Sequence, residues 1–191
     1  MFAAVLDTCV LWPSLQRDFL LSLAIEGLYR PLWSDAILEE LETHEAYKLI
    51  ERHSIDPEQA TARAKRLTTH MQAAFDDALV EGWEPHEGTF GLTDPDDEHV
   101  LAAAFVSRAG AIVTDNVRDF PSEAVPDHIR IIKPAQFAAD TVAVSPETAL
   151  RAVEEITRRR NSPPVTVEQV LDDLIRLYGM HEAVDLLRPA R

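Results

Sequence analysis

The chain of 191 residues is 46% hydrophobic, which is enough to bury a core and excludes an intrinsically disordered protein. Its net charge of −15 argues, on charge alone, against a nucleic-acid partner, because nucleic-acid-binding proteins usually carry a basic surface. No apolar run approaches the roughly 20 residues of a membrane span, and the N-terminus lacks the basic region of a signal peptide. The single cysteine, Cys9, excludes an internal disulfide, so we expect a cytoplasmic protein without a membrane segment.

The first half of the chain is expected to alternate strands and helices. Phe2–Leu6 is a short apolar run without alternation, which is typical of a fully buried strand. Ser34 is the expected N-cap of a helix that continues through His53. The other expected elements are a helix over Ser14–Glu26, a strand over Tyr29–Trp33 and a helix from Pro57 that ends at Gly82.

The second half contains the clearest helix and two further strands. Asp94 is the expected N-cap of this helix, and Gly110 is expected to end it. A buried strand follows over Ala111–Thr114, and another over Ile129–Ile132 leads into a helix. This alternation predicts an α/β protein with a parallel sheet and helices on both faces.

The pattern changes around Thr141–Pro146, beyond which only helices are expected. Thr166 and Gln169 have the spacing of a capping box at the start of one of these helices. We therefore expect one domain over residues 1–141 and a small helical extension over residues 142–191.

The charges are unevenly distributed along the chain. Residues 76–98 hold nine acids and no Lys or Arg, which indicates a metal or a basic protein partner. Basic residues gather between Lys48 and Arg66 and again at Arg158–Arg160, so other faces could still meet phosphate. We interpret Arg158–Arg160 as cations that stabilise a helix C-terminus, and the tryptophans as core or interface residues.

Four acids are expected at one edge of the sheet. Asp7 and Asp115 each follow a buried strand, and the carboxyl ends of parallel strands form a crevice where sites are built. At about 100° per residue, Glu40 borders the apolar stripe of its helix, whereas Glu39 faces away. By the same measure Asp97 lies in the middle of an apolar helix face. Each acid could instead be a turn former, a cap or a solvated charge. The absence of a site would require one of these explanations to be true for every one of the four acids.

Carboxylates crowded together repel one another unless a cation lies between them. Their hard oxygen atoms suit Mg²⁺ or Mn²⁺, and the seven histidines show no spacing typical of zinc. A divalent metal held by carboxylates is the usual equipment for phosphoryl transfer. We therefore predict hydrolysis of a nucleic-acid backbone by a water molecule that the metal activates and orients.

Four motifs together resemble the PIN-domain nucleases, and most closely the VapC-type toxin ribonucleases of bacterial toxin–antitoxin modules. They are VLDTCVL, SDAILEELE, DPDDEHVLAAA and AIVTDNVRDFP, and they extend over about residues 1–140. The resemblance implies a three-layer α/β/α fold and Mg²⁺- or Mn²⁺-dependent endoribonuclease activity. The helices after residue 141 resemble a C-terminal extension found in longer family members.

The resemblance also implies which residues form the site. Asp7, Glu40 and Asp97 are the expected principal metal ligands, and the position of Asp115 after a buried strand makes it the expected fourth. The family's usual acidic position falls on Asn116, so Asp115, Asn116 and Asp119 all remain candidates for the fourth site residue. The Thr8 and Thr114 hydroxyls are expected to orient water or a carboxylate.

The implied partners are an RNA substrate, with tRNA and other structured RNAs as candidates, a cognate antitoxin with a basic segment, and a second copy of the chain in a homodimer. One alternative is a catalytically inactive PIN-like module that binds RNA or protein. A haloacid-dehalogenase-like phosphatase would also place an Asp after the first strand. That class needs a second Asp two residues later, where this chain has Cys9.

Overall fold

The computed structural model describes residues 1–190. Its strands are β1 (Ala3–Leu6), β2 (Arg30–Leu32), β3 (Ala111–Val113) and β4 (Arg130–Ile132). Its helices are α1 (Thr8–Leu11), α2 (Ser14–Ile25), α3 (Asp35–His53), α4 (Pro57–Ala74), α5 (Glu98–Ser107), α6 (Pro134–Val144), α7 (Pro146–Arg159), α8 (Val167–Tyr178) and α9 (His181–Leu187). Short 3₁₀ turns occur at Glu84–His86, Pro95–Asp97, Val117–Asp119 and Arg188–Ala190.

The four strands form one parallel sheet in the order β2-β1-β3-β4. Ala4, Val5 and Leu6 of the central strand β1 are wholly buried. A strand buried on both faces requires a layer on each side, and here the layers are helical. The predicted α/β/α fold around a parallel sheet is confirmed.

Local capping chemistry positions the helices as expected. The Ser34 hydroxyl accepts a hydrogen bond from the Ile37 N–H and begins α3. Thr166 and Gln169 form the predicted capping box at the start of α8, where each side chain accepts from the other residue's backbone N–H. These caps satisfy N–H groups that have no partner within the helix.

The prediction that the helix from Pro57 runs to Gly82 is wrong, because α4 ends at Ala74. The chain turns there to pair with the end of the sheet. Trp33 donates its N–H to the Ala78 carbonyl at 3.1 Å, and its own carbonyl accepts from the Val80 N–H at 2.8 Å. This long-range pairing outweighs the helix propensity of the residues after Ala74.

The predicted helix over Asp94–Gly110 also differs in detail. Its first turn, Pro95–Asp97, is a 3₁₀ turn, and α5 itself covers Glu98–Ser107. Arg108 takes the left-handed conformation that ends the helix. Gly110 directly precedes β3, and its N–H donates to the Ala3 carbonyl of β1 at 2.9 Å.

The helices of the C-terminal part pack against the rest of the molecule. α6 runs without interruption through Val144, so the break in helix falls at Ser145, whose hydroxyl caps α7. α6 packs on α9, and α7 packs on α2. The division at residues 141 and 142 remains a prediction. Among residues 1–190, no helix is long and apolar enough to cross a membrane.

Candidate active site

Asp7 lies at the carboxyl end of β1, where the backbone leaves the sheet. Its N–H still donates to the Val113 carbonyl at 3.1 Å, and its own carbonyl accepts from the first turn of α1. The side chain is 4% exposed. The Thr114 hydroxyl donates to Asp7 Oδ2 at 2.5 Å, and the Cys9 thiol donates to the same oxygen at 3.1 Å. Asp7 is therefore held in one orientation by groups from β3, α1 and the residue after β3.

The Cys9 thiol is a donor in this arrangement and not a nucleophile. Burial, followed by the charge of Asp7, raises its pKa to about 12. The thiol consequently stays protonated at neutral pH, which keeps its proton available for the Asp7 carboxylate.

Glu40 projects from the second turn of α3 and is held at both oxygens. The Thr8 hydroxyl donates to Oε2 at 2.7 Å, and His99 Nε2 lies 3.1 Å from Oε1. Burial alone would raise the pKa of Glu40, but the hydrogen bonds from His99 and Thr8 outweigh it and lower the pKa. Glu40 is thus kept as a carboxylate. Glu39, as expected, is exposed.

Asp97 ends the 3₁₀ turn before α5 and is partly buried. Burial raises its pKa to about 7, and the charges of Asp7, Asp119 and Asp94 act in the same direction. Its Oδ2 atom is buried and has no hydrogen-bond partner. A carboxylate oxygen in that position is costly unless a cation or a proton neutralises it.

Asp7, Glu40, Asp97 and Asn116 line one cavity of about 320 Å³. The other residues lining it are Thr8, Cys9, Trp12 and His44. The cavity lies beyond the carboxyl ends of β1 and β3, as expected for a parallel sheet.

The three candidates for the fourth site residue are placed differently. Asn116 lines the cavity, and its N–H donates to the Thr114 hydroxyl at 2.9 Å. Asp115 does not line the cavity and is largely exposed. Partial burial of its carboxyl group, followed by the charge of Asp7, raises its pKa, and Lys133 opposes this rise. Asp119 also lies outside the cavity lining, but its negative charge helps to raise the pKa of Asp97.

Two family models match the chain, and together they extend over most of it. Residues 3–118, more than half of the chain, match the model described as PIN domain. The chain belongs to the PIN domain family. Residues 134–189 match the model described as VapC50 C-terminal domain. The resemblance of the sequence to VapC-type PIN proteins with a C-terminal extension is thereby confirmed.

A similar protein in Mycobacterium tuberculosis (strain ATCC 25618 / H37Rv) carries the name "Putative ribonuclease VapC50". It is 35% identical over 116 residues, which are 60% of this chain and 63% of the relative. The match therefore spans less than two thirds of the relative's length. No solved structure matches the chain significantly.

The side chains of this PIN domain fit a divalent cation in their chemistry. They offer carboxylate and amide oxygens, and the Asp97 Oδ2 atom is a buried acceptor without a donor. Hard oxygen ligands of this kind are those that Mg²⁺ and Mn²⁺ prefer. Within residues 1–190, no three His, Cys, Asp or Glu side chains already form a metal site.

The sequence reasoning missed the role of His99. The side chain is 5% exposed and contacts Glu40 through Nε2, while Nδ1 is buried without a partner. Burial alone would lower the pKa of His99, but the hydrogen bond and charge of Glu40, with Asp7 and Glu87, raise it. The available signal was its place beside Val100 on a helix whose other residues are nearly all apolar.

By helix angle Glu98 would point outward from the apolar face of α5, but its side chain is buried. It is 3% exposed, and its carboxylate accepts the Phe90 N–H at 3.1 Å and the Leu92 N–H at 2.8 Å. The preceding loop covers that side of α5, so this helix has no exposed face at its start. Glu98 therefore fixes the loop that leads into Asp97 and is not a member of the site.

Proposed function

We propose that the chain is a divalent-metal-dependent endoribonuclease of the VapC toxin type. The observation that carries this proposal is the convergence of Asp7, Glu40 and Asp97 from three separate elements on one cavity of a PIN domain. The match to a protein named as a ribonuclease and the second match to a VapC50 C-terminal domain support the same activity.

Asp7, Glu40 and Asp97 are the proposed ligands of Mg²⁺ or Mn²⁺, with Asn116 or a neighbouring acid completing the set. A bound divalent cation would lower the pKa of a water molecule and offset the charge of the phosphodiester. Thr8 and His99 hold Glu40 at both oxygens, and Thr114 and Cys9 hold Asp7, so these carboxylates are oriented before any ligand binds. Such prior orientation avoids reorganisation during reaction.

The proposed partners follow from the same site. RNA is the substrate, and hydrolysis leaves a 5′-phosphate and a 3′-hydroxyl. The cluster of acids would attract a basic segment of an antitoxin, because an inserted Arg or Lys can form charge-assisted hydrogen bonds with the carboxylates. A homodimer remains part of the proposal, as does a cytoplasmic location.

The test is cleavage of total cellular RNA by the purified chain with Mg²⁺ or Mn²⁺, with the fragment ends sequenced. Asp7→Asn and Glu40→Gln should each lower the cleavage rate at least about a hundredfold, because each removes a charge that the site uses. Glu39→Gln is the matched control, since Glu39 is adjacent in α3 but exposed.

Two results decide the matter. Equal cleavage by the parent and Asp7→Asn would show that a contaminant or another site cuts the RNA. Absence of cleavage by the parent, combined with RNA binding, would favour the inactive PIN-like module instead.

A further inference from the structure

A second cavity adjoins the candidate active site and shares Trp12 with it. It measures about 330 Å³, and Trp12, Ser14, Lys48, Arg52, Arg160 and Tyr178 are among the residues that line it. Three of these side chains are cations, two are aromatic, and no acid lines the cavity. We call this cavity the basic groove.

Two of the cations lie over the indole ring of Trp12. The Arg52 guanidinium lies 5.5 Å from the ring centroid and Lys48 Nζ lies 5.6 Å from it, within the range of a cation–π contact. Lys48 also donates to the Ser14 hydroxyl at 3.2 Å and pairs with Glu45. Arg52 is exposed and forms no ion pair in the part of the chain that the structure describes. Its charge is therefore available to a ligand.

The C-terminal helices supply two further residues of the basic groove, Arg160 and Tyr178. Arg160 follows α7, and Asp18 of α2 holds its guanidinium at 3.3 Å. Tyr178 is the last residue of α8. The sequence interpretation of Arg158–Arg160 as cations at a helix end describes their position, but it leaves out that Arg160 faces a cavity beside the acids.

A chain with a net charge of −15 repels a polyanion as a whole. Any RNA that reaches the acidic cavity therefore needs cations close beside it. Resting on the proposed function, we propose that the basic groove binds the phosphate backbone of the RNA strand on one side of the cleavage point. Arg52 and Arg160 contact phosphate, and Trp12 orients Arg52 at the junction of the two cavities. The C-terminal helices thus complete the RNA-binding surface.

The charge of the basic groove distinguishes RNA from the proposed antitoxin segment. A basic segment is attracted to the acids of the active site but repelled by Lys48, Arg52 and Arg160. The aromatic side chain of Tyr178 suits a single strand, because bases stack on aromatic rings without regard to sequence.

The experiment measures the affinity of a fluorescent single-stranded RNA of about 12 nucleotides for the whole chain in EDTA, where metal-dependent cleavage is suppressed. The variants are Arg52→Ala and Arg160→Ala. The matched control is Arg130→Ala, since this exposed arginine lies at the start of β4, at the opposite edge of the sheet. Arg52→Ala and Arg160→Ala should each weaken binding about fivefold at low salt, and Arg130→Ala should not.

The salt dependence gives a second readout that loss of stability would not mimic. For each phosphate contact removed, the slope of log affinity against log salt concentration should fall by about 0.7. With Mg²⁺, the groove variants should raise the KM for long RNA and leave kcat unchanged. Arg52 has no acid partner whose loss could disturb the fold, so Arg52→Ala decides the result if Arg160→Ala proves unstable.

The outcomes distinguish RNA binding by the basic groove from RNA cleavage at the candidate active site. Equal affinities and slopes for Arg52→Ala, Arg130→Ala and the parent would overturn the inference, even where the parent cleaves RNA. Weaker binding by the groove variants would support it, even where no variant cleaves and the nuclease proposal fails. A polyglutamate peptide that displaces the RNA at equal charge concentration would assign the groove to an acidic protein segment and overturn the inference.

Discussion

His99 Nε2 lies 3.1 Å from Glu40 Oε1, and this contact joins α5 to α3 across the candidate active site. The Thr8 hydroxyl of α1 holds the other Glu40 oxygen at 2.7 Å. Neither His99 nor Thr8 is a proposed metal ligand. Both instead orient the Glu40 carboxylate, which is a proposed metal ligand. Groups that hydrogen-bond to a metal ligand tune the metal affinity of many proteins.

Replacing His99 with Gln should therefore weaken metal binding. We expect the affinity for Mn²⁺ to fall about 10–100-fold, because Glu40 loses one of its two orienting partners. Calorimetric titration of the purified chain with Mn²⁺ measures this. His53→Gln is the control, since His53 is exposed at the end of α3. An unchanged affinity in a folded His99→Gln variant would show that Glu40 needs no such support.

The fourth position of the site can be assigned by comparing two neighbours. Asn116 lines the cavity and Asp115 does not, so Asn116→Ala should lower the cleavage rate about tenfold or more, and Asp115→Asn less than about threefold. The measurement is the initial rate on one RNA at saturating Mg²⁺. A larger loss in Asp115→Asn would transfer the fourth position to that acid.

Asp119 requires its own variant, because its charge acts on Asp97 from outside the cavity lining. Asp119→Asn should leave the maximal rate within about threefold of the parent and shift the pH–rate profile to lower pH. The shift is expected because removing a nearby negative charge makes Asp97 easier to deprotonate. A profile unchanged in position would mean that the two acids do not interact.

Asp97 should make the stability of the metal-free protein depend on pH. Its pKa rises from an ordinary value of 3.8 to about 7 in the folded state, chiefly through burial. The folded chain then holds this proton more tightly than the unfolded chain, so its contribution to stability is present at low pH and is lost as the pH rises to about 7.

Asp97→Asn keeps the shape of the side chain but has no proton to lose, so its stability should not fall in this way as the pH rises. In EDTA the variant should unfold at a higher temperature than the parent, by about 2 °C or more at pH 8, and the difference should vanish near pH 4. Asp96→Asn is the control, since Asp96 precedes Asp97 in the same turn and is exposed. Equal unfolding temperatures of the parent and Asp97→Asn at pH 8 would contradict the raised pKa.

The parts of the fold that could be predicted from the sequence are those set by local signals. The run ending at Leu6 is too short and too apolar for anything but a buried strand, and Ser34 caps α3 with its own hydroxyl. Once the strands are parallel, the residues that follow them must meet at one edge. That is why the sequence alone predicts that Asp7 lies at this edge, without any knowledge of its contacts.

The parts that could not be predicted depend on groups distant in sequence. Trp33 and Val80 pair only after the chain has folded, so no residue close to Ala74 in the sequence indicates that α4 ends there. His99 acts through Glu40, 59 residues away. A helix angle shows which side chains face the core, but it does not show which hydrogen-bond partners those side chains meet there.

Glu98 illustrates this limit and supplies a test of stability. Its buried carboxylate accepts two backbone N–H groups, from Phe90 and Leu92, and hydrogen bonds to a charged acceptor are stronger than neutral ones. Glu98→Ala leaves both N–H groups without a partner and should lower the free energy of unfolding by about 2–4 kcal/mol. Urea unfolding measures the change. Glu39→Ala, at an exposed helical glutamate, should stay within about 0.5 kcal/mol of the parent. Equal losses in the two variants would mean that the loop before α5 is held by other contacts.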